Sequence, residues 1–212
     1  MYVKICGLRT REHAALAVAQ GADAVGVVMS PGSPRDASAE EARAVIAAAR
    51  ETAAERGRAV DTVLVVSRTP AAEAAKLARQ LGFDVLQLHG DYDRADADAA
   101  RAVLPRLWRA TSLARHPELR AGELGEERLL VDGAVPGSGE TWDLGLLRPE
   151  RLGEAWLLAG GLSPANVADA IAHAQPGGVD VSSGVESAPG EKDPKRITAF
   201  IRAARGAQVT IK

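Results

Sequence analysis

Short β-branched runs that end in Gly, Ser, Asp or His alternate along the chain with longer Ala/Leu/Glu/Arg stretches of helical period. On this pattern strands are expected over residues 2–6, 24–29, 62–66, 85–88, 107–110, 128–131, 156–159 and 179–181. Helices are expected over 10–20, 38–56, 70–81, 94–104, 144–148, 164–172 and 194–205. Thr10 is placed to cap the first helix, and Ser38 with Glu41 reads as a capping box for the second. Segment 112–127 is broken by glycine and reads as irregular.

Eight strands separated by helices call for a parallel sheet, because a parallel neighbour needs a crossover connection. The leading solution is a single-domain α/β (β/α)8 TIM barrel spanning residues 1–212. The length lies at the lower end for that fold, which runs from about 200 residues upward, so the loops must be short. An open doubly wound sheet is the alternative. Neither a Pro/Gly/Ser-rich linker nor a shift of composition divides the chain.

Composition narrows the picture further. Hydrophobic residues make up 46% and charged residues 25%, enough for a packed core. Aromatics are only 3%, so the core should be aliphatic. The net charge of −2 and scattered arginines argue against nucleic acid as a partner. No apolar run approaches a membrane span and no signal pattern is visible, so a cytoplasmic protein without a membrane partner is expected. One cysteine excludes an internal disulfide, and four scattered histidines do not supply a zinc cluster.

In a barrel the chemistry gathers at the C-terminal ends of the strands. Gly160-Gly161 follows the seventh strand and Ser163-Pro164 then opens a helix; Ser182-Ser183-Gly184 follows the eighth. Glycines admit close backbone approach and helix starts carry unpaired N–H groups, so these two loops suit a phosphate. Arg35 lies in the loop after the second strand, where it could fork onto a carboxylate or phosphate or simply be solvated. Asp132 ends the sixth strand as a candidate general acid or a turn residue. Cys6 ends the first strand and is either a buried small apolar residue or a thiol base or nucleophile. Lys4 shares its inner face by the period of two. The residues alone read as a sugar-phosphate enzyme whose reaction stays open.

Five segments in order are similar to the phosphoribosylanthranilate isomerase family: KICGLR, GVVMSPGSPRDAS, VLQLHGD, LLAGGLSPANV and GVDVSSGVESAPGEKD. The resemblance implies a TIM barrel that converts N-(5′-phosphoribosyl)anthranilate to the 1-deoxyribulose 5-phosphate by an Amadori rearrangement. It implies no cofactor and no metal. It implies Cys6 as general base, with Gly7 leaving room beside it, and Asp132 as general acid. Arg35 matches the family's arginine for the anthranilate carboxylate, and Asp180 an active-site aspartate. Gly160, Gly161, Ser182 and Ser183 match the phosphate-binding backbone. The related isomerase of histidine synthesis carries an aspartate in place of Cys6, so the thiol points to the tryptophan pathway. His89, in the fourth-strand motif, reads as structural or binding. A monomer is expected.

Segment 136–144 departs from the family pattern: one residue is missing, and Ser138, Trp142 and Leu144 stand for threonine, phenylalanine and tryptophan. That opens an alternative, a related barrel isomerase or binder with altered substrate preference. A synthase of the same fold would want a second inner-strand lysine beside Lys4, and none is evident.

Overall fold

All eight apolar runs form strands, and each pairs in parallel with the next. They are β1 (Tyr2–Ile5), β2 (Ala24–Val28), β3 (Asp61–Val66), β4 (Val85–His89), β5 (Leu107–Ser112), β6 (Arg128–Asp132), β7 (Trp156–Leu158) and β8 (Gly178–Val181). β8 returns to β1 in register from Tyr2↔Gly178 to Ile5↔Val181, so the sheet closes into a barrel without an edge. The computed structural model describes residues 1–113, 115–132, 152–153 and 155–207. Among these the helices are α1 (Arg11–Gln20), α2 (Ala39–Glu55), α3 (Ala71–Leu81), α4 (Arg94–Arg101), α5 (Val167–Ala174) and α6 (Pro194–Gly206). No helix among the described residues is long and apolar enough to cross a membrane.

The expected caps are present. Thr10 accepts from the His13 amide, and Ser38 and Glu41 exchange both bonds of a capping box. A second box, Asp93 with Asp96, opens α4. Two helix boundaries differ from expectation. α4 stops at Arg101, and α5 starts at Val167 rather than at 164. The reason for the late start is Asn166: its amide oxygen accepts from the Ser163 N–H at 2.7 Å and its nitrogen donates to the Gly161 carbonyl at 2.9 Å. That holds 163–166 as a turn folded back on the β7 loop. The expected helix over 144–148 and the divergent segment 136–144 lie outside the described residues. After β8 the chain makes a short 3-10 turn, Ser183–Val185, and a small antiparallel hairpin, β9 (Glu186–Ala188) with β10 (Glu191–Lys192), which sequence periodicity did not indicate.

Two cores result. The outer one lies between barrel and helices and is aliphatic almost throughout, as the composition required. The inner one fills the barrel with small residues such as Val63, Val65 and Ala110 around one large ring, Trp108. The aliphatic expectation is therefore corrected at four points: Trp108, Trp156, Phe83 and Phe200 are buried, and the two tryptophans are the largest fully buried side chains among the described residues. Trp108 meets Tyr2 edge to face at 6.0 Å, and the Arg128 guanidinium stacks 4.1 Å above the Tyr2 ring. These three close the end of the barrel opposite the strand C-termini.

Trp108→Ala should therefore cost about 3–5 kcal/mol, because a barrel interior collapses poorly around a cavity. Urea unfolding checks this. A loss under about 1 kcal/mol would mean that neighbouring side chains refill the space.

Candidate active site

The C-terminal ends of the strands open on a cavity of about 480 Å³. All eight residues singled out from the sequence line it: Cys6, Arg35, Asp132, Gly160, Gly161, Asp180, Ser182 and Ser183. Parallel strands bring them together, since every strand end points the same way.

Cys6 is 5% exposed at the end of β1. Lys4, two residues earlier, is wholly buried on the same inner face, and its Nζ donates to Asp180 Oδ1 at 2.8 Å. The ammonium charge also acts on the thiol. Burial pushes the Cys6 thiol up; the Lys4 charge pulls against it, Asp180 adds to the rise, and Lys192 opposes it. Burial pulls the Lys4 ammonium down, but Asp180 and Cys6 outweigh it and the net direction is up. Without ligand the site thus holds a protonated thiol beside a firmly charged lysine.

A glycine that the sequence did not single out leaves space around the thiol. A Cβ on Gly26 of β2 would lie 3.0 Å from Cys6 Sγ and 3.2 Å from Lys4 Cε. Gly7 makes room for Arg35, whose Cδ would sit 2.8 Å from a Cβ there, and its φ of +74° favours glycine.

Arg35 does not project freely into the cavity. Its Nε and Nη2 fork onto Glu186 at 2.7 and 2.8 Å. Lys192 Nζ donates to the same carboxylate at 2.7 Å and to the Ser182 carbonyl at 2.9 Å. The loops after β7 and β8 form another part of the cavity lining. A Cβ on Gly184 would fall 1.8 Å from the Leu162 carbonyl, so these two loops touch. At the start of the 3-10 turn, Val185 makes the first internal bond, back to Ser182. The N–H groups of Ser183 and Gly184 precede it and are available to an anion. Across the cavity, His89 Nε2 stands 3.8 Å from Asp132 Oδ2. Among the described residues no group of three or more His, Cys, Asp or Glu could hold a metal ion.

A family model described as N-(5′-phosphoribosyl)anthranilate (PRA) isomerase matches residues 3–203. The chain belongs to that family. It is a TIM-barrel isomerase of tryptophan biosynthesis. The N-(5′-phosphoribosyl)anthranilate isomerase of Roseiflexus sp. (strain RS-1) is 42% identical, over 97% of this chain and 98% of the relative. The crystal structure of TrpF from Jonesia denitrificans is similar at 50% identity and a TM-score of 0.86, covering 98% of each chain. A phosphoribosyl anthranilate isomerase solved with reduced 1-(o-carboxyphenylamino)-1-deoxyribulose 5-phosphate is similar at 31% identity and a TM-score of 0.76, over 97% of this chain and 99% of that one.

Relative to this isomerase fold, sequence reasoning missed Glu186, Lys192 and Gly26. The first two carried a signal: Pro189-Gly190 marks a turn, and opposite charges flank it. Gly26 carried none, because only packing reveals what its missing side chain spares.

Two outcomes are expected here. In Lys4→Met the Cys6 thiol should titrate at higher pH than in the parent, since the charge that favours thiolate is gone; the pH dependence of thiol alkylation in the folded protein reads this. A thiol that ionises at the same or a lower pH would show that Lys4 does not govern it. Gly26→Ala should lose about 1–3 kcal/mol of stability by crowding Sγ, read by denaturant unfolding.

Proposed function

We propose that the chain converts N-(5′-phosphoribosyl)anthranilate to 1-(2-carboxyphenylamino)-1-deoxyribulose 5-phosphate, with Cys6 as general base and Asp132 as general acid. One observation carries this reading: a thiol and a carboxyl from opposite sides of the barrel open on one cavity, which the Gly160-Gly161 and Ser182-Ser183 segments also line. The ligand of the solved relative carries a phosphate and an aryl carboxylate. Those are the groups that the β7 and β8 loops and Arg35 would take.

In this mechanism Asp132 gives a proton to the ring oxygen of the ribose, the C1′–O bond breaks, and the anilino nitrogen supplies the electron pair that makes a Schiff base. The Cys6 thiolate removes the proton from C2′, and the electrons shift to give an enolamine. Tautomerisation yields the C2′ ketone and the secondary amine, so no electrons are gained or lost and no redox cofactor is called for. Phosphate contacts with Gly160, Gly161, Ser182 and Ser183 hold the sugar while chemistry proceeds at its other end. Asp180 serves through Lys4, whose ammonium favours the thiolate. Because the base must be ionised, turnover should rise with pH through the thiol's titration. The reaction is placed in the cytoplasm, with a monomer and without nucleic acid.

Fluorescence of the anthranilate group follows turnover directly. With no metal or nucleotide added, the parent protein should be active, and Cys6→Ala and Asp132→Asn should each lose about 10²- to 10⁴-fold. A parent that is inert yet binds the reduced product analogue would replace the isomerase reading with a binder or an altered substrate.

A further inference from the structure

The Arg35–Glu186 fork has a geometry that decides which edge of the guanidinium is free. Nε and Nη2 form the side-on edge, and both bond Glu186. Two of five N–H donors are thereby used. The end-on fork remains, made of Nη1 and the second hydrogen of Nη2. Among the described residues nothing accepts from Nη1. This end is the shape that pairs with a second planar carboxylate, and Arg35 lines the cavity.

Glu186 is itself held from several directions. It is 5% exposed. Lys192 Nζ bonds Oε1 at 2.7 Å, the Gly190 N–H bonds Oε2 at 3.2 Å, and Arg196 bonds its carbonyl. The hairpin that carries it is seated on the Arg35 loop: a Cβ at Gly190 would lie 2.2 Å from the Pro34 carbonyl, and φ there is +85°. Charge completes the arrangement. An arginine paired with one carboxylate is neutral and attracts a further anion weakly. Lys192 makes the Arg35–Glu186–Lys192 cluster net positive, so it can still receive one.

We propose that Glu186 is a positioning residue that sets specificity for the aryl carboxylate: it grips one edge of Arg35 and turns the other edge to the substrate. The proposal rests on the reading above that Arg35 takes that carboxylate. Lys192 supports it by cancelling the repulsion that Glu186 would exert on an incoming anion.

Two probes separate the possibilities: the reduced product analogue with its ortho-carboxylate, and the same compound with an unsubstituted phenyl ring. The parent should prefer the carboxylated probe. If it does not, the Arg35 reading itself fails. If it does, Glu186→Ala should cut that preference by about 10- to 100-fold, the scale on which outer partners of a charged ligand act. Binding of the phenyl probe should be unchanged, and KM should rise with little change in kcat. Glu186→Asp keeps the charge, is the milder change for folding, and should restore part of the preference. In an Arg35→Ala background, Glu186→Ala should have no further effect on it. A preference that persists or rises in the Glu186 variants, or equal weakening of both probes, overturns the proposal.

Discussion

The buried ion pair of Lys4 and Asp180 joins the first strand of the barrel to the last. The two residues are direct partners in the β1–β8 register, and both face the interior. Removing two charges from water costs several kcal/mol per ion, and only a close pair with satisfied bonds offsets it. A slip of one residue of either strand along this seam would turn its member of the pair to the outer face and leave the other buried alone. The pair therefore constrains how the barrel closes, and it does so directly below the thiol. Closing the fold and charging the site are one constraint.

From that pair the charges alternate outward along one wall. Asp180 holds Lys4, Lys4 faces Cys6, and Lys192 and Arg35 share Glu186 a little further out. Each of these cations has a carboxylate partner, and because Arg35 and Lys192 share one, that part of the wall carries a net positive charge. The thiol sits among these groups with burial outweighing the ammonium, hence it starts protonated. A thiol placed this way is the stronger proton acceptor once ionised, at the cost of the smaller fraction ionised, which is what the proposed role as base requires. Asp132 and His89 stand together at the same cavity, 3.8 Å apart.

The strands were legible because buried parallel strands need long apolar runs that little else in a soluble chain requires. That the eight candidate residues would meet at one cavity was legible because the topology puts strand ends together, so position along the chain already states position at the mouth. Gly26 was not legible: its role is the absence of atoms where Cys6 and Lys4 need space. The start of α5 was misplaced because Asn166 takes up bonds across the β7 loop that a periodicity argument does not count. Arg35 was identified, but its neighbour Glu186 comes from 151 residues further along the chain.

The sequence by itself determined the barrel, the end of it that carries chemistry, and the resemblance that the family match bears out, because these follow from local pattern and from strand order. Only the tertiary structure decided which charges meet. It paired Lys4 with Asp180 across the closing seam, turned Glu186 onto Arg35 through a hairpin, and set Gly26 against the thiol. The physical reason is that pairing energies and steric room depend on distances between segments remote in the chain, and hydrophobic pattern carries no record of those distances.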